Sequence, residues 1–280
     1  VRSRRQRQMC IRDRPEPART RLKFNEALEL QLVMALRRSD ATQRSAMKMP
    51  IGAAGSDRQA VVDSLPFELS PGQRDASAEI AAALDSTTPA SLLLQGEVGS
   101  GKTVVALLAM MQAIEAGYQC AFIAPTEVLA VQHARTLVDL LDRSEVGKRV
   151  GVTVLTGSQK TAERKAALLD VVSGQASIVV GTHAVIQETV EFFSLGLVIV
   201  DEQHRFGVRQ RDQLRNNSPV DRTPHMMVMT ATPIPRTVAM TMFGDLTPVR
   251  LPGLPTRESG AAREGVATNV VPLSLSLIHI

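Results

Sequence analysis

Short apolar runs alternate with helical patterns from about residue 65 onward, and this alternation constrains the fold more than any other feature. The runs are SLLLQ (91–95), CAFIA (120–124), VTVLT (152–156), SIVVG (177–181), LVIVD (197–201) and MMVMT (226–230). Amphipathic stretches such as VVALLAMMQAIEA and EVLAVQHARTLVDLLD separate them. Continuously apolar strands joined by helices indicate a mostly parallel sheet covered by helices on both faces. We therefore predict an α/β fold whose ligands bind where the strands end.

The composition sets limits on the class of protein. Two cysteines, Cys10 and Cys120, lie far apart and lack the spacing of a metal site or a disulfide framework. No apolar run reaches the length of a membrane span, and the basic N-terminus lacks the apolar segment of a secretion signal. We expect a cytoplasmic protein with no membrane partner. The net charge of +4 is compatible with a nucleic-acid partner but does not establish one.

Four regions follow from the composition along the chain. Residues 1–20 are rich in Arg and lack apolar periodicity, so we predict a disordered or extraneous tail, with a functional basic arm as the alternative. Residues 21–62 are predicted to form a helix and a linker. Residues 63–250 hold the alternating pattern and form the main domain. Residues 251–280 are rich in Gly and Pro and are predicted to be a truncated or extraneous tail.

The second region begins with a helical pattern. Four leucines recur roughly one or two turns apart within residues 21–38, namely Leu22, Leu28, Leu32 and Leu36. Arginines at the end of this stretch complement the negative end of a helix dipole, so we predict an amphipathic helix. The polar residues 39–62, with Gly52 and Gly55, are typical of a linker.

A glycine-rich loop follows the first apolar run and precedes a helical pattern. It reads Gly96-Glu97-Val98-Gly99-Ser100-Gly101-Lys102-Thr103, which matches G-x-x-x-x-G-K-[ST] in the required strand–loop–helix context. The backbone N–H groups of such a loop and the following helix N-terminus converge on phosphate oxygens. Lys102 would then reach the β- and γ-phosphates, and the Thr103 hydroxyl would ligate Mg²⁺. The alternative without a binding function is a Gly-rich turn beside a solvated lysine.

An acid pair ends the apolar run LVIVD. In nucleoside triphosphatases with such a loop, the strand-end carboxylate, here Asp201, holds Mg²⁺, and the next one, Glu202, orients and activates the attacking water. The bland alternative is a helix cap and a surface acid. Two acids after a strand are weak evidence alone, but the upstream loop makes the hydrolytic interpretation the better one.

Small hydroxyl residues and helix starts follow several other apolar runs. They are Pro125-Thr126, Gly157-Ser158, Thr182-His183 and Thr230-Ala231-Thr232. Each hydroxyl alone is as readily explained by helix capping. Their recurrence at one predicted edge indicates a second polyanion, a nucleic-acid backbone that is held without base reading.

The ordered motifs GxxxxGKT, APTEVLAVQH, LTG, GTH, DEQH and TATPIPRT resemble those of superfamily 2 helicases. DEQHRFGV with MTATPIPRT narrows the resemblance to RecG-type branch-migrating DNA helicases and transcription-repair coupling factors. Gln203 and the FGDL at 243–246 are more similar to the RecG type. The resemblance covers about residues 21–250. It implies a RecA-like P-loop NTPase lobe that uses ATP and Mg²⁺.

The resemblance also implies roles at the nucleotide. Phe67 and Gln73 match the motif that contacts adenine, and Gln203 and His204 match residues that sense the γ-phosphate. The implied catalytic residues are Lys102, Asp201, Glu202, Gln203 and His204. The implied nucleotide contacts are Phe67, Gln73, Gly96, Glu97, Val98, Gly99, Ser100, Gly101, Lys102 and Thr103. The implied Mg²⁺ ligands are Thr103 and Asp201.

A DNA partner, in the form of forked or branched junctions, is implied in the same way. Thr230 and Thr232 match residues that couple hydrolysis to domain movement. The positions that match DNA-backbone contacts are Pro125, Thr126, Gly157, Gly181 and Thr182. The parent protein is expected to act as a monomer.

A motor of this type needs a second RecA-like lobe that supplies arginines, and residues 251–280 are too few to form one. The chain therefore resembles a fragment that contains the first motor lobe. The predicted function is to couple ATP hydrolysis to branch migration and to the remodelling of stalled forks and recombination junctions. The alternatives are a coupling-factor-type DNA translocase and, for the isolated chain, an ATP-binding module without helicase activity.

Overall fold

A seven-stranded, wholly parallel sheet forms the centre of the described structure. The computed structural model describes residues 15–43, 45–53, 55–186, 190–201, 222–231 and 246–252, and structural statements refer to these. The strands are β1 (Ser91–Gly96), β2 (Gln119–Ile123), β3 (Val152–Leu155), β4 (Ile178–Gly181), β5 (Leu195–Asp201), β6 (His225–Thr230) and β7 (Thr247–Leu251). Their order is β3-β4-β2-β5-β6-β1-β7. The predicted α/β class is confirmed.

Helices cover both faces of the sheet. They are α1 (Pro15–Gln43), α2 (Asp57–Asp63), α3 (Pro71–Leu84), α4 (Lys102–Glu115), α5 (Glu127–Leu141) and α6 (Thr161–Val172), with 3-10 turns at Gly147–Arg149 and His183–Ile186. Successive strand residues point to opposite faces, so Leu92 and Leu94 pack on the same side as α3, α4 and α5. Leu93 packs on the other side, with buried residues of α6. This double burial explains why the strands are apolar throughout.

The six apolar runs all form strands, within one or two residues of the predicted limits. The seventh strand, β7, was not predicted. It reads TPVRL and pairs only with β1, at the edge of the sheet among the described strands. An edge position tolerates Pro248, and the strand alternates exposed and buried residues instead of forming an apolar run.

Helix α1 is longer than the predicted helix over 21–38. Its first residues, 15–20, fall within the predicted tail, whose boundary at residue 20 therefore differs from the structure. Pro15 and Pro17 are compatible with this start, because proline is tolerated in the first turn of a helix. The leucine stripe is exposed, with exposed fractions of 62% for Leu22 and 59% for Leu36. No helix in the described ranges has the length and apolarity needed to cross a membrane.

Residues 45–49, which we call the anchor segment, pack against the main domain although they lie in the predicted linker. Ala46, Met47 and Met49 are buried, and Ala46 forms an isolated bridge with Thr223. The Gln112 side chain donates to the Met49 carbonyl at 2.8 Å. Helix α2 then begins after the N-cap Ser56. Both stretches lie within the predicted linker, and neither its isolated methionines nor its short helical segment shows a periodicity that would have predicted them.

Candidate active site

The carboxyl ends of β1, β6 and β5 lie side by side. Gln95 is in register with Thr230, and Asp201 is in register with Met229, the residue before Thr230. Because all strands are parallel, the loop after β1 and the carboxylate after β5 emerge at the same edge. The structure therefore brings the glycine-rich loop and Asp201 together, separated by the width of one strand.

The glycine-rich loop is a tight turn between β1 and α4. Gly99 and Gly101 have φ angles of 80° and 85°, in the left-handed region that favours glycine. Gly101 is the N-cap of α4, so the positive end of the helix dipole faces the loop. A Cβ atom on Gly101 would also lie 2.2 Å from the Gln73 amide nitrogen. Backbone geometry and packing both require glycine there.

Two polar side chains of the loop are positioned for phosphate chemistry. The Lys102 ammonium donates to the carbonyls of Gly96 at 2.8 Å and Glu97 at 2.9 Å, so it lies within the loop. The Ser100 hydroxyl is buried and forms no hydrogen bond within the described part of the chain. A buried polar group of this kind calls for a partner such as a ligand oxygen or water. The loop therefore fits a nucleotide phosphate.

The Gln73 side chain links helix α3 to the glycine-rich loop. Its side-chain oxygen accepts from the Ser70 N–H at 2.9 Å, and the Ser70 hydroxyl accepts from the Gln73 N–H, which together form a capping box at the start of α3. Its Nε2 donates to the Ser100 carbonyl at 2.9 Å. The buried Gln73 amide thus joins α3 to the loop. The adenine contacts of Gln73 and of Phe67, which is 37% exposed, stay predictions.

Asp201 forms a hydrogen bond that sequence reasoning missed. Its Oδ2 atom accepts from Nε2 of His133 on α5 at 2.8 Å, and the two side chains are only 13% and 16% exposed. The His133 ring also contacts the Phe122 ring, with centroids 4.7 Å apart. His133 is the last residue of the motif APTEVLAVQH, but nothing local in that motif shows that it meets a residue 68 positions away.

The oxygen donors suit a nucleotide-bound magnesium ion. Thr103 and Asp201 offer a hydroxyl and a carboxylate, which are ligand types that Mg²⁺ prefers. Within the described ranges, no three His, Cys, Asp or Glu side chains form a cluster that could hold a metal. Mg²⁺ in nucleotide sites is usually held by one or two protein groups and by phosphates, so this donor set fits. Glu202, Gln203, His204 and Thr232 lie outside the described residues.

A second group of predicted residues lies at the start of α5. Thr126 is the N-cap of α5, and its hydroxyl accepts from the Leu129 N–H at 3.3 Å. The Glu127 carboxylate accepts from the Ser158 N–H at 3.1 Å and bonds the Ser158 hydroxyl. Hydrogen bonds from Ser158, and a further one from the Gly157 N–H, lower the pKa of Glu127. We call Thr126, Glu127, Gly157 and Ser158 the rim.

The remaining predicted DNA contacts have structural explanations of their own. Gly181 is buried, and a Cβ atom on it would lie 2.0 Å from the Leu155 carbonyl oxygen, so strand packing alone requires glycine. Thr182 is half-buried, and its carbonyl accepts from the Val185 N–H at 3.1 Å. Thr230 is buried at the end of β6. Their roles in DNA binding and coupling stay predictions, as does that of the half-buried Pro125.

Residues 70–241 match the family model described as DEAD/DEAH box helicase. The chain is 49% identical over 263 residues to the ATP-dependent DNA helicase RecG of Mycobacterium tuberculosis (strain ATCC 25618 / H37Rv), covering 91% of this chain and 35% of that protein. It is 45% identical over 230 residues to RecG of Bacillus subtilis (strain 168), covering 82% of this chain and 32% of that protein. The predicted resemblance to the RecG type is confirmed, and the chain spans about a third of the length of these relatives.

Solved structures agree with this similarity. A structure of RecG bound to a three-way DNA junction matches with a TM-score of 0.73 and 39% identity, covering 86% of this chain and 31% of that one. The DEAD-box helicase Mss116, bound to single-stranded RNA and UDP-BeF, matches with a TM-score of 0.54 and 18% identity over 69% of this chain and 42% of that one. The second match supports the helicase-lobe fold alone.

Proposed function

Because the chain belongs to the DEAD/DEAH box helicase family, we propose that it is the ATP-binding motor lobe of a RecG-type DNA helicase. The observation that carries the proposal is the placement of the glycine-rich loop and Asp201 at the ends of β1 and β5, with only β6 between them. A single nucleotide can then place its phosphates on the loop while a cation bound to those phosphates contacts the Asp201 carboxylate. The RecG relatives support the same reading.

Different described residues are proposed to bind the phosphates and the cation of the nucleotide. The loop N–H groups and the α4 N-terminus bind the phosphates, and Lys102 exchanges its carbonyl partners for phosphate oxygens. Thr103 and Asp201 would hold Mg²⁺, which when bound neutralises charge on the phosphates. Glu202 is proposed to orient and activate the attacking water, and Gln203 and His204 are proposed to respond to the γ-phosphate.

We further propose that the rim contacts the DNA backbone. Its exposed Gly157 and Ser158 and the α5 N-terminus lie at the same sheet edge as the nucleotide site, because β3 is parallel to β1. The structure of RecG on a three-way junction supports branched DNA as the partner of the whole protein. Action at stalled forks, a monomeric state and a cytoplasmic location are further parts of this proposal.

The alternative of a coupling-factor-type translocase has less support. RecG relatives with 40% to 49% identity align over most of the chain, and the motif at residues 201–204 contains Gln203, the feature that separates the two types by resemblance. We therefore favour branch migration over transcription-coupled translocation.

Replacement of Lys102 by Ala tests the proposal. We expect Lys102→Ala to weaken Mg-ATP binding by at least about tenfold, because the charge that reaches the phosphates is lost. Isothermal titration calorimetry on the whole chain measures the change, and Lys165→Ala, an exposed lysine on α6, is the control. Equal affinity in Lys102→Ala and the unaltered chain would refute the assignment of the loop.

A further inference from the structure

The His133 imidazole is restrained by two contacts, one with an aromatic ring and one with a carboxylate. Its ring contacts Phe122 of β2 at a tilt of 46°, and its Nε2 atom bonds Oδ2 of Asp201. Phe122 is fully buried in the core, and its neighbour in register on β5 is Ile199, two residues before Asp201. A ring held in this way has few other positions open to it, so its Nε2–H group is a fixed donor.

A fixed donor restricts the carboxylate that accepts from it. A strand-end carboxylate turns about two side-chain torsions, and only one of its orientations serves a given ligand. The bond to His133 is made by Oδ2 of Asp201, so Oδ1 stays available to ligate a cation. Hydrogen bonds of this kind orient ligating carboxylates in metal sites, and their loss typically costs about 10–100-fold in metal affinity.

We infer that His133 is a positioning residue, which holds the Asp201 carboxylate in the orientation that binds a nucleotide-bound divalent cation. The inference rests on the proposed function of the loop and Asp201. His133 acts through Asp201 and needs no contact with the nucleotide. A solely structural role is the competing explanation, because the same ring also packs against Phe122.

The dependence of nucleotide affinity on Mg²⁺ separates these two roles. The probe is a fluorescent ATP analogue titrated with the whole chain, once over a series of Mg²⁺ concentrations and once in EDTA. We expect His133→Ala to need about tenfold more Mg²⁺ for half-maximal tightening, with its affinity in EDTA unchanged. His133→Gln places an amide N–H near the same position and should restore most of the Mg²⁺ response.

Gln132→Ala, an exposed neighbour on α5, is the matched control and should behave as the unaltered chain. Thermal unfolding of each variant shows whether it is folded. If the Ala variant is not, His133→Phe, which keeps a ring against Phe122 but has no N–H donor, should show the same increase in the Mg²⁺ midpoint. An unchanged Mg²⁺ midpoint in His133→Ala, or an equal loss of affinity with and without Mg²⁺, would overturn the inference. An unaltered chain that binds no nucleotide in Mg²⁺ would instead refute the proposed function, and this inference with it.

Discussion

His225 shows how one buried side chain joins two segments. Its Nδ1 atom accepts from the Ala90 N–H at 3.0 Å, and its Nε2–H donates to the Met47 carbonyl at 2.8 Å. Both bonds together require the neutral ring, because a protonated ring has no acceptor nitrogen. Burial lowers the pKa of His225, although the bond to Met47 opposes this shift. The residue therefore ties the anchor segment to β6 in its uncharged form.

This bonding predicts a pH-dependent stability. The folded-state pKa lies below the unfolded value of about 6.5, so the contribution of His225 is fully present above that value. It is lost as the pH falls through the folded-state pKa. We expect His225→Gln to cost about 1–3 kcal/mol at pH 8, because buried bonds are left incomplete. Urea unfolding of both proteins from pH 8 to pH 5 measures the difference, which should shrink with acid; a constant difference would contradict the prediction.

Two glycines with nearly equal φ angles allow a second prediction at this scale. Gly101 has a φ of 85° and Gly117 a φ of 84°, but an added Cβ atom meets the Gln73 amide only at Gly101. Substitution by Ala should cost about 1 kcal/mol at Gly117 from backbone strain. Gly101→Ala should cost at least about 1 kcal/mol more, because the buried capping-box amide must move. Denaturant unfolding measures both changes. An equal loss of unfolding free energy in the two variants would contradict the prediction, because it would mean that the Gln73 side chain moves without cost.

At the scale of elements, α5 lies between the two predicted sites. It begins at Glu127 in the rim and carries His133, which bonds Asp201, less than two turns further on. It packs into the core through Ala130, Ala134, Leu137 and Leu141. One helix therefore contributes residues to both predicted sites.

Glu127 provides a test of the rim. Its carboxylate accepts from the N–H groups of Gly157 and Ser158, and we propose that a DNA phosphate binds at these groups. Glu127→Gln keeps an acceptor for these bonds but removes a negative charge that repels the phosphate. We expect the variant to bind DNA several-fold more tightly at low salt, with a smaller gain at high salt, because salt screens the charge.

Fluorescence anisotropy with a labelled fork measures this change. Glu79→Gln, an exposed position on α3, makes the same change in net charge away from the rim and is the control. Affinity in Glu127→Gln that does not exceed that of Glu79→Gln would count against DNA binding at the rim.

At the scale of the whole molecule, the described residues form one seven-stranded sheet with its covering helices. The chain spans about a third of the length of the RecG relatives. By resemblance, ATP in such motors lies between two lobes, and the second lobe supplies arginines. An arginine of this kind contributes roughly 10³–10⁵ in rate in related systems. The 280-residue chain, which spans about a third of those relatives, is therefore expected to hydrolyse ATP more slowly than a two-lobed motor.

We predict that this chain binds Mg-ATP weakly and shows little DNA-stimulated hydrolysis. Phosphate release with and without forked DNA measures the activity, and Lys102→Ala identifies any contaminating ATPase. Unwinding or branch migration by the purified chain would contradict the prediction.

Periodicity made the sheet and most helices predictable. Apolar strands such as LVIVD are buried on both faces, so their pattern is visible without knowledge of their neighbours. The glycine-rich loop was predictable because its chemistry is contiguous in the sequence. β7 and the anchor segment were not, since both are short and partly polar. The anchor segment is bonded by Gln112 and His225, and β7 pairs with β1, and all these partners are distant in the chain.

The sequence by itself determined the α/β class, the glycine-rich loop and the acid pair at residues 201–202. Each depends on residues that are adjacent in the chain. Only the tertiary structure showed that the Gln73 amide bonds the Ser100 carbonyl, that Glu127 accepts from the Ser158 N–H, and that His133 bonds Asp201. These bonds join residues 27 to 68 positions apart. Such pairs meet because parallel strands bring their carboxyl ends to one edge, which local patterns do not reveal.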